Sequence, residues 1–148
     1  MKIASILENQ KVEKRIAITP EIAKKYISFG IDVSLCKNYG KHLGINDNEY
    51  IELGVSILND EKEIINDANV IVQLGLLDDN KSILLKENQT FIGVLNPFNN
   101  KDKIEELVKK NINTFSLELL PRITRAQSMD VLSSQANLAG YKAVVESF

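Results

Sequence analysis

The sequence has 148 residues, of which 44% are apolar and 26% are charged, a composition that suits one soluble domain with a hydrophobic core. Its net charge of −2, with no run of more than two adjacent basic residues, excludes the electrostatic pattern of a nucleic-acid-binding protein. No apolar run approaches the roughly 20 residues of a membrane-spanning helix, and a single cysteine indicates a reducing, cytosolic environment without disulfides.

Six short runs rich in branched apolar residues predict β-strands. Such runs, bounded by polar residues or glycine, are typical of strands buried on both faces of a sheet. In chain order they span residues 3–7, 31–36, 55–58, 69–74, 90–95 and 113–119.

Helical patterns fill the intervals between the strands, and three of them begin at a residue that can cap a helix. Thr19, Asp60 and Asp130 carry side-chain oxygens that can accept from the free amides of a first helical turn. The predicted helices span residues 19–30, 47–53, 61–68, 103–110 and 130–148, with a weak helical turn at 82–85. Their spacing predicts a set of residues that share inward faces, namely Ile22, Tyr26, Phe29, Ile64, Ile65, Ala68, Ile104, Leu107 and Val108.

The alternation of strand and helix predicts the fold class. Neighbouring parallel strands need crossover connections, which helices supply. We therefore expect an α/β domain with an open, mostly parallel sheet flanked by helices in three layers, of the flavodoxin-like or Rossmann-like kind. No repeat, low-complexity tract or linker interrupts the pattern, so residues 1–148 are predicted to form a single domain.

The loop after the last predicted strand carries the most suggestive polar residues. Ligands of open α/β sheets bind at the carboxyl ends of the strands, and the segment PRITRAQSMD at 121–130 follows such an end. Arg122 offers a planar fork of donors, and Gln127 can donate and accept, as recognition of a carboxamide requires. The alternative is that Arg122 pairs with a surface acid, that Gln127 is solvated and that Asp130 only caps the final helix.

Four other features have a structural explanation beside a functional one. Arg15, in the loop after the first strand, either binds an anion at the sheet edge or anchors its loop. His42 has no metal-ligand partner at suitable spacing and is expected on the surface, whereas Cys36 closes an apolar strand and is expected to be buried. The small residues of 133–140 permit close approach of another backbone, more often a neighbouring helix of the same chain than a partner subunit. Metal-ligand, phosphate-loop and GxGxxG patterns are absent from the sequence.

Two segments resemble a known family. KIASILENQKVEKRIAITPE at 2–21 resembles the amino-terminal signature shared by alanine dehydrogenase and the NAD(H)-binding alpha subunit of proton-translocating NAD(P) transhydrogenase. PRITRAQSMDVLSSQANLAGYKAVVE at 121–146 resembles the transhydrogenase more specifically, and the similarity spans the whole chain.

Two positions separate these relatives. Alanine dehydrogenases carry a substrate-binding lysine after the strand that matches 69–74, and a catalytic histidine at the end of the strand that matches 90–95. This chain has Gln73 and Gly75 at the positions of the two lysines of that pattern, and Asn96 at that of the histidine. Only Arg15 remains of the set. Amino-acid oxidation would therefore lack its acid–base groups.

The resemblance to the transhydrogenase implies a role for the loop at 121–130. In that family the matching loop reaches over the nicotinamide end of NAD(H), which assigns cofactor binding to Arg122, Gln127 and Asp130. Gln127 and Asp130 would also be the catalytic residues, and Ser133 and, more weakly, Ser128 would add polar contacts. The implied reaction is direct hydride transfer from NADH to NADP+ held by a partner domain, as in the Si-specific, proton-translocating enzyme.

The resemblance also implies partners. Family members continue into a Rossmann domain that binds NAD(H) through GxGxxG, which is absent from residues 1–148. They further work with an NADP(H)-binding domain and a membrane domain. We expect a homodimer on the cytoplasmic side of the inner membrane, with no direct membrane insertion, and little NAD(H) binding or activity for these residues alone. The alternatives are a non-catalytic binding or assembly module and a fragment of an alanine dehydrogenase-like oxidoreductase.

Overall fold

The computed structural model describes residues 1–147 and contains one six-stranded sheet. Its strands are β1 (Lys2–Ser5), β2 (Asp32–Cys36), β3 (Ser56–Leu58), β4 (Val70–Val72), β5 (Thr90–Gly93) and β6 (Asn113–Ser116). Every pairing is parallel, and the order is β3-β2-β1-β4-β5-β6. The predicted α/β fold is confirmed, and this strand order is that of the Rossmann type.

The sheet has one point at which the chain changes its direction of travel. From β1 the chain moves to β2 and β3, then returns to place β4 on the other side of β1, with β5 and β6 beyond it. Ile3 lies opposite Val70 and Ala4 opposite Ile71 in the resulting pair. The carboxyl ends of β1 and β4 therefore form the topological switch point, where open α/β sheets leave a crevice.

Six α-helices connect the strands within residues 1–147: α1 (Pro20–Ser28), α2 (Asp47–Ile51), α3 (Glu61–Asp67), α4 (Asp79–Ser82), α5 (Lys101–Lys109) and α6 (Val131–Glu146). Two predicted caps are confirmed at the starts of α1 and α3. Thr19 Oγ1 accepts from the Ile22 amide at 3.4 Å, and Asp60 Oδ1 accepts from the Lys62 amide at 2.8 Å. The predicted end of the last helix at Phe148 lies outside the described residues.

Side chains of the strands and helices share one hydrophobic core. Ile64 and Ile65 of α3 are fully buried, as predicted. Leu107 of α5 is also buried, but Val108 is 62% exposed, because only the stripe through Ile104 and Leu107 faces the core. The predicted inward position of Val108 is therefore wrong.

Phe29 is a second error of the same kind. Its side chain is 78% exposed, although its spacing places it with Ile22 and Tyr26, which do pack against the core. The helix α1 ends at Ser28, and Phe29 is its C-cap with φ −89° and ψ 5°. Because the backbone has left the helical path, the helical spacing no longer sets the direction of this side chain.

The final helix, α6, differs from the others because it packs against almost nothing in this domain. Every residue from 132 to 147 is exposed, and a side-chain carbon added at Gly140 would have no atom within 4 Å. The prediction that the small residues of 133–140 pack against a neighbouring helix of the same chain is therefore wrong for the described residues. No helix within residues 1–147 has the length and apolar character needed to cross a bilayer.

Candidate functional site

The candidate site lies in the segment that joins β6 to α6. The chain turns through a 3-10 helix at Leu117–Leu119, runs extended, and turns again at Thr124–Met129 before α6 begins. The second turn was not predicted from the sequence, because six residues with a single buried side chain, Ala126, leave no apolar period to detect. It places Gln127 and Asp130 close to Arg122 at one end of the sheet.

Asp130 is held firmly by the start of α6. Its Oδ1 accepts from the amides of Leu132 at 3.1 Å and Ser133 at 3.0 Å, and its Oδ2 accepts from the Ser133 hydroxyl at 2.6 Å. The Ser133 hydroxyl is the main cause that lowers the pKa of Asp130, and the positive charge of Arg122 contributes less. The carboxylate is therefore ionised at neutral pH, and the predicted N-cap is confirmed.

Arg122, Gln127 and Asp130 line one concave surface of about 290 Å³, together with Leu120, Pro121, Ile123, Thr124 and Ala126. The side chains of Arg122 and Gln127 are exposed and make no hydrogen bond or ion pair with any of residues 1–147. Their donors and acceptors are therefore open to a ligand. Three of the five predicted site residues thus meet in one cavity.

The other two predicted residues lie on an adjoining surface. Ser128 and Ser133 line a shallow groove of about 370 Å³ that also includes Gln127 and Asp130. The hydroxyl of Ser133 is already used by Asp130. Ser133 therefore orients a neighbour, and Gln127 and Asp130 form the ridge that both surfaces share.

Arg15 has its donors engaged by two residues of the chain. Its Nε and Nη2 donate to the two carboxylate oxygens of Glu13 at 2.8 and 2.6 Å, and its Nη1 donates to Gln135 Oε1 of α6 at 2.7 Å. The hydrogen bond from Arg15 is the main cause that lowers the pKa of Glu13. Of the two roles considered for Arg15, the structure contains the anchoring one.

Gln73, one of the two positions where alanine dehydrogenases have lysine, is part of a buried hydrogen-bond chain. Its side chain is 2% exposed, and its Oε1 accepts from Ser5 Oγ at 2.7 Å and from the Ile6 amide at 2.9 Å. Since the Ser5 proton is directed to Gln73, the Tyr39 hydroxyl at 2.8 Å donates to Ser5. This chain links the ends of β1 and β4 at the switch point.

Tyr39 and Glu8 help to form this region and were not predicted from the sequence. The Tyr39 hydroxyl accepts from the Ala17 amide at 3.1 Å, and burial raises its pKa to about 12, so it remains protonated. Glu8 Oε1 accepts from the Leu74 amide at 2.6 Å, and burial raises its pKa. Glu8, Gln73, Gly75 and neighbouring residues line a cavity of about 230 Å³ beside the switch point. The only available signal was the position of Glu8 just beyond β1.

Asn96, at the position of the dehydrogenase histidine, forms a turn. Its backbone has φ 47°, its amide donates to the Glu118 carboxylate, and its Oδ1 accepts from Asn99 Nδ2 at 3.1 Å. An amide in this turn does not supply the acid–base function of an imidazole. The geometry therefore agrees with the loss of the dehydrogenase machinery.

His42 and Cys36 behave as the sequence predicted. His42 is exposed, with Nε2 at 2.7 Å from the Lys14 carbonyl oxygen, to which it donates. Cys36 is buried, and burial raises its pKa to about 11, so it is a thiol at neutral pH. Residues 1–147 contain no group of three or more side chains suited to hold a metal ion.

Comparison with known proteins identifies the chain's relatives. The family model described as alanine dehydrogenase/PNT, N-terminal domain, matches residues 6–139. An NAD(P) transhydrogenase subunit alpha polypeptide of Rickettsia prowazekii (strain Madrid E) is 44% identical over 99% of this chain. The chain spans only 39% of that relative's length.

Solved structures support the same grouping. The crystal structure of transhydrogenase from Sinorhizobium meliloti superposes with a TM-score of 0.89 and 36% identity, over 97% of this chain and 43% of the other. An L-alanine dehydrogenase superposes with a TM-score of 0.75 at 18% identity, over 80% of this chain and 32% of the other. The second likeness concerns the fold alone.

Proposed function

This chain belongs to the alanine dehydrogenase/PNT N-terminal domain family, and we propose that it is the portion of a transhydrogenase alpha subunit that positions the nicotinamide of NAD(H) for hydride transfer. The observation that carries the proposal is the meeting of Arg122, Gln127 and Asp130 in one cavity. Two of these side chains have unused hydrogen-bonding groups, and the third is an ionised carboxylate in a fixed position.

The chemistry of the three groups suits a carboxamide on an aromatic ring. The Gln127 amide offers one acceptor and two donors, which match the N–H and C=O of a carboxamide. Arg122 can donate to a carbonyl or ribose oxygen as a planar fork. Because Ser133 and the helix amides fix Asp130, this carboxylate can accept from the ligand without reorganising.

The proposed reaction requires positioning and no protein acid or base. NAD(H), when bound, supplies the hydride, which passes directly to NADP(H) on a partner domain. Gln127 and Arg122 would set the ring's distance and angle, to which transfer is highly sensitive. The negative charge of Asp130 would favour the positive charge that the ring gains when it gives up hydride. The missing histidine and lysine are therefore no obstacle to this chemistry.

The remaining components of the enzyme are proposed from the relatives. The GxGxxG pattern that holds a dinucleotide pyrophosphate is absent from residues 1–148, and the chain spans 39% of the Rickettsia subunit. We propose as partners a Rossmann NAD-binding domain, an NADP(H)-binding domain and a membrane domain through which protons move. The subunit would act as a homodimer on the cytoplasmic side of the membrane, and residues 1–148 alone would bind NADH weakly and be inactive.

A second candidate is an assembly module that pairs with other subunits without turnover. It is favoured by α6, which exposes apolar side chains such as Leu138, Tyr141 and Val144. A measurement of hydride transfer separates this role from the first. The third candidate, an alanine dehydrogenase fragment, is disfavoured by Gln73 and Asn96.

The test compares residues 1–148 with a subunit completed by the dinucleotide-binding domain. Calorimetric titration with NADH should give low-micromolar affinity for the completed subunit and far weaker binding for residues 1–148. Single-turnover transfer to the NADP-binding domain should then be slowed by Arg122→Met and Gln127→Asn, and not by the surface control Glu52→Gln. Tight NADH binding to residues 1–148, or unchanged transfer in both variants, would refute the proposal.

A further inference from the structure

The placement of α6 needs an explanation, because the helix has almost no packing within its own domain. Residues 132–147 are all exposed, and the helix contacts the domain mainly at the turn Leu117–Leu119. A helix without a buried face has no hydrophobic force to fix its direction. Its direction nevertheless matters for the proposed function, since Asp130 and Ser133 form its first turn.

We infer that Arg15 is the positioning residue that fixes α6 over the carboxyl edge of the sheet, through its hydrogen bond to Gln135. The inference rests on the proposed function for its consequence, and on the Arg15 contacts for its geometry. Arg15 Nη1 lies 2.7 Å from Gln135 Oε1, across 120 residues of sequence. It is the one side-chain hydrogen bond between α6 and a distant segment of the chain within the described residues.

Glu13 prepares Arg15 for this contact. The carboxylate takes the Nε and Nη2 donors of the guanidinium in a paired arrangement and also accepts from the Arg15 amide at 2.9 Å. Such a pair fixes the plane of the guanidinium, so that Nη1 points in a defined direction before it meets Gln135. Arg15 therefore acts as a rigid strut.

The topology gives the strut its effect. Arg15 follows β1, whereas Asp130 follows β6, and β4 and β5 lie between those strands. Three strand spacings correspond to about 14 Å at the carboxyl edge. The contact with Gln135 therefore ties the start of α6 back across that edge, and it sets where Asp130 and Ser133 lie relative to the sheet.

The strut also changes the role of an arginine in this position. Three of the five N–H donors of its guanidinium are engaged by Glu13 and Gln135. An incoming carboxylate would have to displace one of these partners. Arg15 thus serves the helix that carries the proposed nicotinamide site in place of a substrate anion.

The direct test measures the position of α6 by distances between two spin labels. Labels on Lys24→Cys in α1 and Ala143→Cys in α6, in a Cys36→Ala background, should give one narrow distance distribution. Gln135→Met removes the acceptor at similar length, and Arg15→Met removes the donor. Each should broaden the distribution at least about twofold, and the double variant should broaden it no further, because one bond is removed in all three.

Two matched variants control this measurement. Gln135→Glu keeps an acceptor for Arg15 and should restore the narrow distribution. Asn137→Met makes the same kind of change on α6 at a side chain without a hydrogen bond among the described residues, and it should have no effect. If Gln135→Met gives the same distribution as Asn137→Met, the inference is overturned, whatever the loop at 121–130 does.

Hydride transfer in the completed enzyme separates this inference from the proposed function. Gln135→Met should slow single-turnover transfer about tenfold while NADH affinity stays within about twofold, and Gln135→Glu should restore the rate. A broadened distance distribution with an unchanged rate would support the strut and refute the nicotinamide role of the loop. An unchanged distribution, with transfer still slowed by Gln127→Asn, would refute the strut and leave the proposed function standing.

Discussion

The carboxylate of Asp130 accepts from both the hydroxyl and the amide of Ser133, at 2.6 and 3.0 Å. One side chain therefore caps α6 and lines the candidate site at the same time. Because both tasks use the same oxygen atoms, replacement by alanine removes them together. Asparagine separates them, since asparagine and aspartate are similarly good N-caps.

We predict that Asp130→Asn retains α6 and slows hydride transfer, whereas Asp130→Ala impairs both. Asparagine still accepts from the first-turn amides but brings no negative charge to the ring. Transfer in the completed enzyme should fall at least about tenfold in both variants. Helix content by circular dichroism should fall only in Asp130→Ala. Equal transfer rates for Asp130→Asn and the parent would exclude an electrostatic role for the carboxylate.

Gln127→Asn tests the positioning role of the amide. The shorter side chain keeps the same donors and acceptor but withdraws them from the ring by one methylene length. We expect single-turnover hydride transfer to slow by about 100-fold while NADH affinity changes little, because pyrophosphate contacts lie elsewhere. A parallel loss of affinity with an unchanged transfer rate would show that Gln127 only binds the cofactor.

Much of the sheet could be predicted from the sequence because its signals are local. The six apolar runs, and the capping side chains of Thr19, Asp60 and Asp130, depend only on neighbouring residues. The side-chain direction of Val108 could not be read in the same way, because it depends on how far α5 extends beyond the sheet. Helical spacing defines a stripe and does not say where the core ends.

The site was predictable to a limited extent for the same reason. Arg122, Gln127 and Asp130 are close in sequence and meet in one cavity. The contact between Arg15 and Gln135 spans 120 residues and has no local signal. The exposure of α6 also could not be predicted, since small residues are equally suited to internal packing and to a surface that another chain covers.

Tyr39→Phe should destabilise the fold by about 1–3 kcal/mol, the cost of leaving buried polar groups without a partner. The hydroxyl serves Ser5 and two backbone amides, and removing it also disturbs the Gln73 side chain beyond Ser5. Urea denaturation is the measurement. Tyr26→Phe is the matched control, with an expected change within about 0.5 kcal/mol. Equal stabilities for the two variants would show that the buried chain contributes nothing.

Ser34→Ala should leave stability unchanged or raise it by about 1 kcal/mol, an unusual outcome for a buried residue. The Ser34 hydroxyl is buried in β2 without a hydrogen-bond partner among residues 1–147. Removing it relieves the cost of desolvation and leaves almost no cavity. Ser56, which lies opposite in β3 and is exposed, provides the control Ser56→Ala. A loss of more than about 1 kcal/mol for Ser34→Ala would reveal a partner for this hydroxyl.

Glu8→Gln should remove a pH dependence of stability. Burial raises the pKa of Glu8 above its ordinary 4.5, so the folded state holds this proton more tightly than the unfolded state. The favourable contribution is complete below the ordinary pKa and is lost as pH rises through the raised folded value. The stability of the parent relative to Glu8→Gln should therefore fall across that window and be constant above it. Chemical denaturation from about pH 3.5 upward, roughly one unit below the ordinary value, tests this, with the exposed Glu52→Gln as control. A difference that rises with pH would mean that the Leu74 amide outweighs burial.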